Sequence, residues 1–151
     1  MSTRSFIARQ TETGYEGVYC HWDGYPSHNG ALLHAHYTDA HKIAFLLSFG
    51  DISSLGSNIG EVHDFLDRSD EHATTFYGRD RGECGEHTFP TKFALLRDVR
   101  QRAAQMGCEY IYLFKNEAWS YCERRPQFFG VDNGAKFSRF IPLVDVVPLK
   151  T

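Results

Sequence analysis

The sequence lacks the long apolar run, near 18 residues or more, that a membrane helix needs. Its four cysteines, Cys20, Cys84, Cys108 and Cys122, form no CxxC pair, which removes the usual zinc and thioredoxin-like signals. No HExxH, GxSxG, GxGxxG or GxxxxGK[ST] segment occurs, so the common metalloprotease, serine-hydrolase and phosphate-loop signatures are missing. Proline is scarce, and no low-complexity stretch marks a linker. An excess of positive charge is also missing, because the formal net charge is -3. Nucleic acid is therefore not favoured as a partner, and no basic stripe runs through the chain. Residues 1–6 lack an apolar core and a cleavage pattern, so they do not read as a signal peptide. These absences lead us to expect a cytoplasmic protein with free thiols, no bound metal, no cofactor and no membrane partner.

What is present fits one globular unit. Hydrophobic residues make up 42% and charged residues 23%, a balance that supports a core rather than disorder. The 151 residues are expected to form a single α+β domain. Its sheet should be mainly antiparallel and pack against several short helices and one longer helix.

The ends of the chain read as strands. Residues 6–10 form a first strand, 11–14 a turn, and 15–22 a second strand. Tyr15, Tyr19 and His21 fall on one face of that strand, with Val18, Cys20 and Trp22 on the other. Residues 109–114 and 119–123 give a second hairpin, and 137–147 a last strand bent at Pro142.

The middle reads as helices. Residues 30–37 form one, with Asn29 as cap, and Asp39 caps a second that ends at Gly50. Asn58 and Glu61 resemble a capping box for a third, faced by Val62, Phe65 and Leu66. The longest periodic stretch is 91–106, where Phe93, Leu96, Val99 and Ala103 form one apolar face and Gly107 the stop.

Two segments concentrate chemical groups. Residues 19–26, Tyr-Cys-His-Trp-Asp-Gly-Tyr-Pro, follow a strand, where loops present functional side chains on a rigid scaffold. Residues 76–83, Phe-Tyr-Gly-Arg-Asp-Arg-Gly-Glu, add a second dense set. Arg79 and Arg81 suit a phosphate or carboxylate through their planar forks. Trp22, Tyr25 and Tyr77 offer stacking faces. The expected site is one recognition surface of Trp22, Asp23, Tyr25, Tyr77, Arg79 and Arg81. It would serve a non-enzymatic binder of a phosphorylated small molecule or a host protein.

Two alternatives stand beside that reading. One is a small hydrolase or transferase with His21 as base and Asp23 as its orienter. The other is an interaction protein with no small-molecule ligand. The clustered histidines His21, His28, His34, His36 and His41 lack metal-ligand spacing and are expected to be ordinary polar residues.

The block at 19–26 resembles a family of small uncharacterised proteins from bacteriophages and bacterial prophages. Residues 50–56, 76–83 and 109–114 look like further blocks of that family. The resemblance implies a phage or prophage accessory product acting inside a bacterial host. It carries no catalytic assignment onto these residues.

Overall fold

A computed structural model describes residues 2–125 and 137–143 of the chain. Among the described residues eight strands and four α-helices alternate irregularly. They are β1 (Ser5–Gln10), β2 (Tyr15–Cys20), α1 (Ala31–His36), α2 (Ala40–Ser48), β3 (Ile52–Ser54), β4 (Thr75–Phe76), α3 (Tyr77–Arg81), β5 (Thr91–Phe93), α4 (Leu96–Gln105), β6 (Tyr110–Lys115), β7 (Ala118–Glu123) and β8 (Ile141–Pro142). The strands form one sheet in the order β4-β3-β2-β1-β6-β7-β8. Strand β5 lies off this path and pairs with the first half of β2, leaving the second half for β3. The fold is α+β, as expected, and the sheet is mixed. The neighbours β1 and β6 run parallel, as do β2 and β3, while the other pairings are antiparallel.

Helices cover both faces. Ile7, Val18, Cys20 and Tyr112 face Leu33, Ile43, Leu46 and Leu47 of α1 and α2. Phe6, Ala8, Ile111 and Leu113 face Val99 and Ala103 of α4. Strands β1 and β6 are thereby buried on both sides, which explains their nearly continuous apolar runs. Strand β2 alternates as its sequence requires, with Val18 and Cys20 in one core and Tyr15 and Tyr19 against the other.

Several local expectations hold. Asp39 accepts a hydrogen bond from the His41 amide at 3.0 Å and caps α2. The β6–β7 turn puts Asn116 and Glu117 at φ 53° and 60°, the twist a two-residue hairpin needs.

Others are corrected. The helix expected after Asn58 does not form. Backbone bonds tie Asn58 to His72 and Thr74 instead. The carboxylates of Asp64, Asp67 and Asp70 accept from the amides of Leu66, Ser69 and His72, and these local turns outcompete a helical ladder. Val62 and Leu66 are left exposed.

The helix expected over 91–106 begins only at Leu96. Thr91–Phe93 is drawn into the sheet because Tyr15–Gly17 of β2 offers an otherwise unpaired edge there. Phe93 consequently meets Phe6 edge-on, with ring centroids 5.9 Å apart. Asn29 does not cap a helix either. It belongs to a π-helical turn, Pro26–Gly30, that leads directly into α1. Of the expected last strand, Phe137 bridges Arg124 and Ile141–Pro142 pairs with β7, whereas 144–147 lie outside the described residues.

Candidate functional site

The 19–26 segment leaves the sheet at the end of β2. Its backbone stays bonded to β3 for two more residues, His21 N–H to the Ile52 carbonyl and Trp22 N–H to the Ser53 carbonyl, both at 3.0 Å. Asp23 then takes φ 57° and turns the chain out of the sheet. The turn is held from below by a fully buried Asn29. Its side-chain amide donates to the Trp22 carbonyl at 3.1 Å and lies 3.3 Å from Cys20 Sγ and 3.4 Å from Ser5 Oγ. The Tyr112 hydroxyl donates to the Gly24 carbonyl at 2.6 Å. The scaffold is thus rigid, and Trp22 stands on it with 43% of its surface exposed.

The His21–Asp23 arrangement expected for an enzyme is replaced by another pairing. His21 Nδ1 bonds the Tyr19 hydroxyl at 2.7 Å, and the Tyr25 hydroxyl donates to Asp23 at 3.2 Å. Among the described residues no hydrogen bond or ion pair joins His21 to Asp23. The positive φ of Asp23 is the cause, since it ends the alternation that would have aligned the two. Burial, then the nearby Arg4 charge, lowers the His21 pKa from its ordinary value. Cys20 is no nucleophile. Burial pushes its thiol up to about 12, and only the Asn29, Trp22 and Ser5 contacts pull it back.

The second segment divides. Arg79 points inward, and all five of its N–H donors have acceptors. Nε and one Nη bond the Asp80 carboxylate at 2.9 and 3.1 Å, and the remaining bonds reach the carbonyls of Ile59, Gly60 and Thr74. Its guanidinium also lies over the Phe76 ring, 4.7 Å from the centroid. Asp80 in turn accepts from the amides of Phe76 and His63. Arg79 is therefore a clamp on the protein's own loop rather than a donor to a ligand. Arg81 stays exposed, pairs with Glu83 at 3.2 Å and covers Phe65.

Tyr77 lies within electrostatic reach of Tyr19 and Cys20. Ser53, whose carbonyl takes the Trp22 amide, hydrogen-bonds Tyr77 through its side chain. Among the described residues no hydrogen bond, ion pair or ring contact links Trp22, Asp23 or Tyr25 directly to Tyr77, Arg79 or Arg81.

A concave site lies on the α4 face of the sheet, beyond Tyr19. It is a cleft of about 740 Å³ between α4 and the segment preceding β5. Phe6 forms part of its floor. Glu86, His87, Phe89 and Pro90 come from that segment, and Arg102 and Met106 from the helix end. Asp51 joins them at the start of β3.

Hydrogen bonds hold this cleft open. The Asp51 amide donates to the His87 carbonyl at 2.8 Å, Asp51 Oδ1 accepts from the Tyr19 amide at 2.9 Å, and Arg102 reaches Thr91 Oγ1 at 3.4 Å. His87 is steadied by Glu83 at 2.7 Å. Burial raises the Asp51 pKa from its ordinary 3.8 to about 6, against smaller lowering effects from the Tyr19 amide, His87 and Arg102.

Sequence reasoning passed over Asp51, His87 and Arg102. The signal available was the Gly50-Asp51 pair closing α2 just before Ile52. Gly50 has φ 78°, and a Cβ there would lie 2.3 Å from the Thr88 backbone. Only glycine lets the cleft wall approach the start of β3.

Other groups are placed more plainly. All four cysteines are free, with Cys84 exposed and the other three buried. Trp119 is buried and donates to the Tyr37 carbonyl at 2.8 Å, so its ring is not offered for stacking. His34, His36 and His41 are exposed on α1 and α2. Among the described residues no group of three His, Cys, Asp or Glu side chains is placed to hold a metal ion. No described helix is long and apolar enough to cross a membrane.

No family model matches this chain, and neither a curated protein nor a solved structure matches it.

Proposed function

We propose that the protein is a non-enzymatic binding protein that holds a small organic ligand in the cleft between α4 and the segment preceding β5. The carrying observation is that Asp51, His87 and Arg102 line one cleft together with the apolar side chains of Phe6, Phe89 and Met106. Polar groups placed beside apolar surface in one concavity are what a ligand pocket requires. Trp22, Asp23 and Tyr25 stand on a separate loop after β2, where they are a surface for a host protein. The phosphate clamp expected from Arg79 and Arg81 has little support, since Arg79 has no N–H left to donate. The phage-type resemblance fits an accessory role in a bacterial cytoplasm.

Acid–base catalysis is the second reading, favoured by the perturbed Asp51 carboxyl and the Tyr19–His21 bond. One experiment addresses both. The protein is incubated with a small-molecule extract of bacterial cells, desalted and examined by native mass spectrometry. The expected result is an unchanged metabolite retained by the wild type. Phe89→Ala should lose it while staying folded, because Phe89 is 65% exposed. A new, chemically altered mass favours the enzyme. Retention of nothing, or equal retention by Phe89→Ala, overturns the cleft as a binding site.

A further inference from the structure

The geometry points to a guanine-type base edge as the group this cleft reads, with Asp51 taking paired N–H donors and Arg102 the adjacent carbonyl. This inference rests on the cleft being a ligand site. Asp51 Oδ1 receives one backbone N–H, from Tyr19, and among the described residues no other hydrogen bond or ion pair reaches its carboxylate. The carboxylate is nevertheless half-buried, and burial has raised its pKa. A ligand that brings two parallel N–H groups restores what desolvation took away.

Arg102 narrows the choice. Arg102 lines the same cleft with N–H donors that a cationic guanidine or amine, having no acceptor, cannot satisfy. A neutral ligand with a carbonyl beside its donors satisfies both residues. The walls agree, because Phe89, Pro90 and Met106 offer flat or pliable apolar surface to a ring. A volume of about 740 Å³ accommodates a nucleoside. Guanine presents two N–H groups beside a carbonyl, hypoxanthine presents one, and adenine presents no carbonyl.

Several charged or titratable groups surround Asp51. They are His87 and Glu86 from the segment before β5, Arg102 from α4, Tyr19 from β2 and Tyr77 from α3. His87 lies against Asp51, so any pH dependence must be assigned with an Asp51 variant.

Calorimetric titration with guanosine, inosine and adenosine at pH 7.5 tests the inference. Guanosine should bind about 10- to 100-fold more tightly than adenosine, with inosine between them. Asp51→Asn should weaken guanosine by about 10-fold or more and leave adenosine unchanged. The asparagine oxygen can still accept the Tyr19 amide, so the fold is kept, and a melting curve checks this. Guanosine binding by the wild type should also weaken below pH 6, a dependence Asp51→Asn should lose.

Equal affinity for the three nucleosides, or no effect of Asp51→Asn, overturns the guanine assignment. If the wild type binds none of them yet retains another metabolite that Phe89→Ala releases, the binding reading stands and this inference fails. If neither is seen, both fail.

Discussion

The Tyr19 amide donates to Asp51 Oδ1 at 2.9 Å across 32 residues of sequence. This bond ties the end of β2 to the residue that opens β3 and fixes the half-buried Asp51 carboxylate of the cleft. It also places Tyr19 between two sets of functional groups, because the Tyr19 hydroxyl bonds His21 at 2.7 Å on the loop side. The loop and the cleft are thus coupled through a single tyrosine.

Asp51 should leave a signature in stability. Its pKa rises from 3.8 in the unfolded chain to about 6 in the fold. The folded state therefore holds the proton more tightly, so its contribution is fully present below pH 3.8 and lost as pH rises through about 6. Asp51→Asn should remove that slope and raise stability at pH 7 by roughly 1–3 kcal/mol. Urea unfolding of both proteins between pH 4 and 7 is the measurement. A wild-type slope that persists in the variant would assign the effect to another group.

The two arginines of the second segment should behave oppositely. The Arg79 and Asp80 side chains are 10% and 0% exposed. Arg79→Ala strands a buried carboxylate and should cost about 3–5 kcal/mol. Arg81→Ala removes a pair that is 55% exposed at the arginine and should change stability by less than about 0.5 kcal/mol. Thermal melts at pH 7 separate the two, and equal losses would contradict the clamp.

Asn29 should matter more than its polarity suggests. Asn29→Ala leaves the Trp22 carbonyl without its side-chain donor and opens a hole beside Cys20 and Ser5. We expect a loss of about 1–3 kcal/mol. Trp22 fluorescence should also shift as its loop loosens, while the buried Trp119 reports little.

Gly50 should tolerate no side chain. Its φ of 78° and the 2.3 Å approach of the Thr88 backbone both oppose alanine. Gly50→Ala should cost about 2 kcal/mol or more and push the 86–90 segment away from Asp51. Ligand binding should fall with stability in this variant. In Arg81→Ala neither should change.

The class of fold was legible because period is a local property. Alternation at 15–20 and an unbroken aromatic and aliphatic run at 110–114 marked strands, and the apolar spacing of Ile43, Leu46 and Leu47 marked α2. Asp39 and Gly50 marked its ends through local backbone chemistry. Part of the first loop was legible for the same reason, since an aromatic and acidic run closing on Gly-Tyr-Pro cannot continue a strand.

Tertiary structure decided what depends on distant partners. Thr91–Phe93 left a helical pattern because β2 had a free edge, and the stretch from Asn58 through Leu66 left another because the nearby carboxylates found local amides. Arg79 reads in sequence like an anion clamp. Only the fold brings the carbonyls of Ile59, Gly60 and Thr74 to its donors. Asp51 is an ordinary acidic residue in a list, and it became a desolvated carboxyl when the β3 start, the 86–90 segment and α4 closed around it. Periodicity and capping act over a few neighbours and are written in the order of residues. Burial, charge environment and donor satisfaction are sums over space, and chain folding determines which residues enter them.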